Sequence, residues 1–235
     1  MQYRAVATSV EGFVQQIACC YLRWGYWFYV TGQIPDGKDP CGIDAKLIAK
    51  YGIAVSESTR ARRKKSGQAN LQYLRFERYF IILATKGQHH FFEDEGAQIR
   101  DIRRVPLRFA GYSISYRRGG RTRDGRKDPS WHAHVAIDRR EQLGLIAHLS
   151  QLAKRRAPDS VASAIYNLPL EPYAPIRRQL LLLLRSLNRL RRELGYSELP
   201  LEILPLRRRV VRPFGVFAAC HSSASKLVTA RRKRG

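Results

Sequence analysis

The amino-acid sequence predicts an α+β protein, and three observations carry that class. Aromatic and β-branched segments separated by turn residues fill most of the first 138 positions. These segments interleave with helical patterns in the order strand, helix, strand, strand. From residue 139 onward the apolar residues recur at helical spacing instead. Hydrophobic residues make up 44% of the 235, enough to build a core rather than a disordered basic tail.

Taken in order, Ser9 can cap a helix over 10–23, with Val10, Phe13, Val14, Ile17 and Tyr21 on one face and Gly25 as its stop. The run YWFYVTGQI (26–34) reads as a strand closed by Pro35, Asp36 and Gly37. Asp39-Pro40 opens a short helix through Tyr51, with Ile43, Leu47 and Ile48 facing inward. Residues 56–69 read as a polar, basic connection. LQYLRF (71–76) and RYFIILATK (78–86) read as two strands reversing at Glu77. After the acidic QHHFFEDEG comes a strand over 107–116, then the Arg- and Gly-rich stretch 117–130, which lacks apolar residues and is expected to be a mobile finger. WHAHVAI (131–137) is a strand. Helices follow over 139–156, about 159–167, and 174–194, the last with a stripe of Ile176, Leu180, Leu183, Leu184, Leu187 and Leu190.

The expected architecture is an antiparallel ferredoxin-like or RRM-like sheet with helices on one side, followed by a basic helical C-terminal portion. Residues 1–138 form the sheet domain with its finger, 139–215 the helical portion packed on it, and 216–235 a flexible basic tail.

Lys and Arg outnumber Asp and Glu by 43 to 19, a formal net charge of +24. The surplus comes in clusters: Arg60, Arg62, Arg63, Lys64 and Lys65; Arg117, Arg118, Arg121, Arg123, Arg126 and Lys127; Arg207, Arg208 and Arg209; and a basic run at the C-terminal end. A chain that tolerates this self-repulsion has a use for it. A phosphate backbone neutralises several such clusters at once, by releasing condensed counterions. Arg dominates the clusters, which favours forked contacts to phosphate or base edges. A membrane surface would call for an amphipathic helix with an exposed apolar face, and no apolar run is long enough to span a bilayer. The start, MQYRAVATSVEGF, lacks the basic and apolar regions of a signal peptide. The four cysteines (Cys19, Cys20, Cys41 and Cys220) have no metal-knuckle spacing and read as buried, reduced thiols. Together these features point to a soluble protein of the cytoplasm, on the nucleoid or in a ribonucleoprotein, whose partner is single-stranded DNA or RNA.

One constellation can carry chemistry. In WHAHVAID, strand alternation puts Trp131, Ala133, Val135 and Ile137 on one face and His132 and His134 on the other, beside Asp138. Two imidazoles about 7 Å apart can share a divalent metal that polarises a phosphodiester oxygen. A third ligand is sought in the loop with His89, His90, Glu93, Asp94 and Glu95, where Glu93 is the candidate. Aromatic residues alternate with basic ones through the sheet (Tyr73, Phe76, Tyr79, Phe109, Tyr112 and Tyr116); exposed, they could stack on bases, but for each ring core packing is the simpler reading.

The His132-Ala133-His134 triplet and the aromatic YWFYVTGQIP, with Thr31 and Pro35, resemble the HUH endonucleases: rolling-circle replication initiators, relaxases and single-strand transposases. The resemblance implies a histidine pair on a central strand of a ferredoxin-like sheet, holding Mg²⁺ or Mn²⁺. It also implies a downstream tyrosine that attacks DNA, at Tyr166 or Tyr173. The chain departs from the pattern: Ala133 is small, and Pro169 and Ile176 stand where a lysine often follows the tyrosine. Two other readings stand beside the nuclease. One is a non-catalytic RNA- or DNA-binding accessory subunit of a ribonucleoprotein, with a protein partner. The other is a metal-independent RNA-processing endonuclease that uses a histidine as general base.

Overall fold

The computed structural model describes residues 3–120, 124–155 and 157–215. Helix α1 (Val10–Gln15) starts where the Ser9 hydroxyl accepts from Gly12 N at 3.0 Å. It runs on through a π-helical turn, Gln16–Tyr21, and a 3-10 turn, Leu22–Trp24. It stops at Gly25, whose φ of 92° suits only glycine. Strand β1 (Phe28–Gln33) follows, then α2 (Pro40–Lys50), capped by the Asp39 carboxylate at Cys41 N and Gly42 N.

The expected polar connection at 56–69 is mostly a helix, α3 (Glu57–Lys65), capped by the Ser56 hydroxyl at Thr59 N. It buries none of its residues, so no apolar periodicity marks it in the sequence. Strands β2 (Leu71–Phe76) and β3 (Tyr79–Ala84) form a hairpin, and short α4 (Phe91–Glu95) leads to β4 (Arg100–Asp101). These four strands make one antiparallel sheet in the order β2-β3-β1-β4. Gly32 of β1 faces Phe80 of β3, and a Cβ there would come within 2.3 Å of the Phe80 ring, so this position needs glycine.

The single strand expected over 107–116 is instead a hairpin: β5 (Leu107–Phe109) and β6 (Tyr112–Arg118), joined by Ala110 and Gly111 with φ of 44° and 80°. Two positive-φ residues give a turn whose twist matches the strands. With β7 (Trp131–Ile137) they form a second antiparallel sheet, β5-β6-β7. Helices α5 (Arg139–Ala153), α6 (Asp159–Tyr166) and α7 (Ala174–Glu193) follow, close to expectation.

Helices do not cover one side only. On one face of the first sheet Val30, Leu71, Tyr73 and Ile82 pack with Tyr51, Ile53 and Phe91 from the α2 and α4 regions. On the other, Tyr29, Leu74, Ile81 and Leu83 join a larger core that takes in α1, the second sheet and α5 to α7. Sandwiching explains why five consecutive residues of β2 are buried. The helical portion is therefore continuous with the second sheet's core.

Two sets of buried charged side chains tie elements together. Asp44 of α2 accepts two hydrogen bonds from Arg75 Nε (2.8 and 3.0 Å), one from Arg75 Nη2 (2.9 Å) and one from the Tyr73 hydroxyl (2.5 Å). Burial, then the bond to Asp44, pushes the Tyr73 hydroxyl pKa well up, so it stays a donor. Arg191 of α7, fully buried, donates to the carbonyls of Ala153 and Arg155, where α5 ends, and of Ser197. A cation there complements the negative end of the α5 dipole. Cys19 and Cys20 are exposed and Cys41 half-buried, unlike the buried thiols expected; Cys220 lies outside the described residues. Among the described residues no helix is long and apolar enough to cross a membrane.

Candidate nucleic-acid interface

Strand β7 alternates as expected. Val135 and Ile137 are buried, while His132 is exposed and His134 half-buried on the opposite face. The pair lies on an edge strand of the smaller sheet, not on a central strand as the resemblance implies. The outer edge of β7 is covered at Ile137, where Gln179 of α7 accepts from Ile137 N (2.8 Å) and donates to its carbonyl (3.3 Å). Across the ladder Ser115 stands opposite His134 and Arg117 opposite His132. This face thus gathers two imidazoles, a guanidinium and the buried Ser115 hydroxyl, with Arg117 Nε donating to Ser115 Oγ at 2.8 Å. Burial, then the nearby Arg117 charge, lowers the His134 pKa, so this imidazole is neutral at pH 7.

The sequence reading missed Asp128. Its Oδ2 lies 2.9 Å from His132 Nε2, while its Oδ1 accepts from Ser130 N at 2.9 Å. The Ser130 backbone bond and then His132 hold its carboxyl below the usual range. Gly119 makes this fit possible: a Cβ there would come within 2.3 Å of the Asp128 carboxylate. Backbone bonds from Gly119 N to Ser130 O and from Asp128 N to Gly120 O prolong the β6–β7 hairpin into the basic stretch. Arg117 and Arg118 are strand residues at the root of this hairpin, and Arg126 and Lys127 are exposed on its return; Arg121 and Arg123 lie outside the described residues. Asp138 is not available to a metal in the way its position beside the histidines suggests. It caps α5 at Arg140 N (3.1 Å) and pairs with Arg108 (3.2 Å).

The other candidates are dispersed. Glu93 is exposed on α4, beside the first sheet, where Asp94 pairs with Lys50 at 2.9 Å. His89 Nδ1 accepts from Phe91 N, and His90 stacks on Tyr51. Among the described residues no group of three or more His, Cys, Asp or Glu is placed to hold a metal ion. Tyr166, the last residue of α6, is 66% exposed. Tyr173, just before α7, is half-buried with Arg208 4.9 Å over its ring, and burial pushes its hydroxyl pKa up to about 12. Its segment is fastened through Glu171 N to the Tyr112 hydroxyl (2.7 Å), on the face of β6 opposite the histidines, so the structure does not bring Tyr173 to the pair.

The basic clusters lie on several elements. The last turn of α3 carries Arg62, Arg63, Lys64 and Lys65; of these, Arg63 bonds the Gly52 carbonyl at 3.1 Å. Arg60 is half-buried against the Asn70 side chain, which bonds its carbonyl. Arg207 and Arg209 are exposed on a strap that runs back along α1, fastened by Gln15 to Val211 (2.7 Å) and by Thr8 N to Pro213 O (3.0 Å). Arg208, turned inward to Tyr173 and Cys19, is a structural member of the cluster. Of the aromatic residues named as stacking candidates, Tyr73 and Tyr112 are fully buried. Phe76, Tyr79 and Phe109 form an internal cluster with Phe13. Compared with models of known protein families and with the sequences of curated proteins, the chain matches none.

Proposed function

We propose that this chain binds nucleic acid, with the exposed cations of α3, of the β6–β7 hairpin and of the 207–209 strap contacting phosphates. One observation carries the reading. No residue of helix α3 is fully buried, its last turn holds four cations, and among the described residues no carboxylate pairs with any of them. A helix at the surface, with its charge unneutralised, is suited to an anionic partner. The β2-β3-β1-β4 order, with helices linking β1 to β2 and β3 to β4, supports a ferredoxin-like reading of the first sheet, a scaffold suited to single strands. A cytoplasmic place, on the nucleoid or in a ribonucleoprotein, goes with it. The triple variant Arg62→Gln, Lys64→Gln, Lys65→Gln is expected to fold as the native chain does and to bind oligonucleotides more weakly. Its log-affinity against log-salt slope for a single strand should be shallower by about 2, at roughly 0.7 per phosphate contact. An unchanged slope would remove α3 from the interface.

The Asp128–His132 pair favours a second, catalytic reading: metal-independent cleavage of RNA. Neutral His134 takes the proton of a 2′-hydroxyl as that oxygen attacks phosphorus. His132, oriented by Asp128, gives a proton to the departing 5′-oxygen, and Arg117 faces the charge that develops on the phosphoryl oxygens. The products are a 2′,3′-cyclic phosphate and a 5′-hydroxyl. Incubation with labelled single-stranded RNA and DNA, with Mn²⁺ or with EDTA, tests it on a denaturing gel. The reading expects RNA alone to be cut, in EDTA, with His134→Ala slower by about 10²–10⁴-fold. A metal-dependent DNA adduct lost in Tyr166→Phe or Tyr173→Phe would favour HUH-type nicking instead, and binding without cleavage would leave the chain a binding module.

A further inference from the structure

Trp27, just before β1, and Tyr116 and Trp131, on the two strands of the β6–β7 hairpin, form one stacked column. Ring centroids are 6.0 Å apart between Trp27 and Tyr116, with planes at 25°, and 5.8 Å apart between Tyr116 and Trp131, with planes at 18°. Arginines close both ends: Arg103 lies 4.4 Å from the Trp27 centroid and Arg118 5.8 Å from that of Trp131. The ends differ. Arg103 is locked by a forked bond to Asp101 (2.7 to 3.1 Å), and Trp27 and Tyr116 pack against the main core. At the other end Trp131 is 41% exposed, and among the described residues no ion pair holds Arg118. Trp24 repeats the motif at 66% exposure, with Arg23 5.8 Å away, on a turn that packs against β7.

An indole left in water beside an unpaired guanidinium offers a planar apolar face and a cation to the next ring in the column. Unpaired nucleobases supply such a ring, and their phosphates match Arg126 and Lys127, exposed on the return of the same hairpin. We infer that Trp131 is a stacking platform for an unpaired base, received between its ring and Arg118, with Trp24 as a second platform. This makes the ligand a single strand, and it rests on the nucleic-acid reading above.

The test compares oligothymidylate with an abasic oligomer of the same length, using the full chain. Native protein is expected to bind oligothymidylate more tightly and to lose tryptophan fluorescence with it but not with the abasic strand. Trp131→Leu should weaken oligothymidylate binding by about tenfold to a hundredfold and leave abasic binding unchanged, while Trp131→Phe restores most of the loss. Fluorescence quenching of the native chain keeps the test valid if Trp131→Leu fails to fold. Equal binding of both oligomers by native protein, without quenching, would overturn the stacking site and leave the phosphate reading standing. Binding of neither would overturn both.

Discussion

Replacing Asp44 by alanine is expected to destabilise the protein by about 3–5 kcal/mol, the usual cost of removing one partner from a buried ion pair. Both side chains are more than nine-tenths buried. Without the carboxylate, Arg75 loses its charged partner, and the Tyr73 hydroxyl loses its acceptor. The double variant Asp44→Leu, Arg75→Met removes both charges and should recover much of the loss, because neither partner is then left unpaired. Denaturant unfolding of the two variants measures the difference. A loss under about 1 kcal/mol in Asp44→Ala would show that water reaches the pair and that it does not lock α2 to the sheet.

Elements with local signals were legible in the sequence. The Asp39-Pro40 cap, the stop at Gly25, the leucine stripe of α7 and the alternation of WHAHVAI each act within a few residues, and each appears where expected. Helix α3 was hidden because it buries no apolar face: without one there is no period to read, and its caps alone marked it. The β5–β6 turn was hidden because Ala110 adopts a positive φ, where Asn or Gly is the usual sign. Arg191 looks like one more surface cation of an Arg-rich helix, but the carbonyls at the end of α5 reach it only through tertiary packing.

The site divides in the same way. The shared face of His132 and His134 follows from strand period alone, and the basic clusters are visible as composition. What holds those groups is not visible. Asp128 reaches His132 only because Gly119 lets the hairpin close, and the Trp27–Tyr116–Trp131 column joins Trp27 to a hairpin about a hundred positions later in the chain. Tyr173 sits downstream of the histidines, as a nucleophile would, yet its segment is anchored on the other face of the sheet. Sequence order carries no information about which face of a sheet a later segment packs on.

The most direct measurement of the central claim is the affinity for a single-stranded oligonucleotide as salt is raised. If six of the exposed cations contact phosphates, log K falls against log salt with a slope of about −4, at roughly 0.7 per contact for a single strand, and affinity drops about 300-fold between 50 and 200 mM. Undetectable binding at low salt, or an affinity that does not change across that range, would contradict the account.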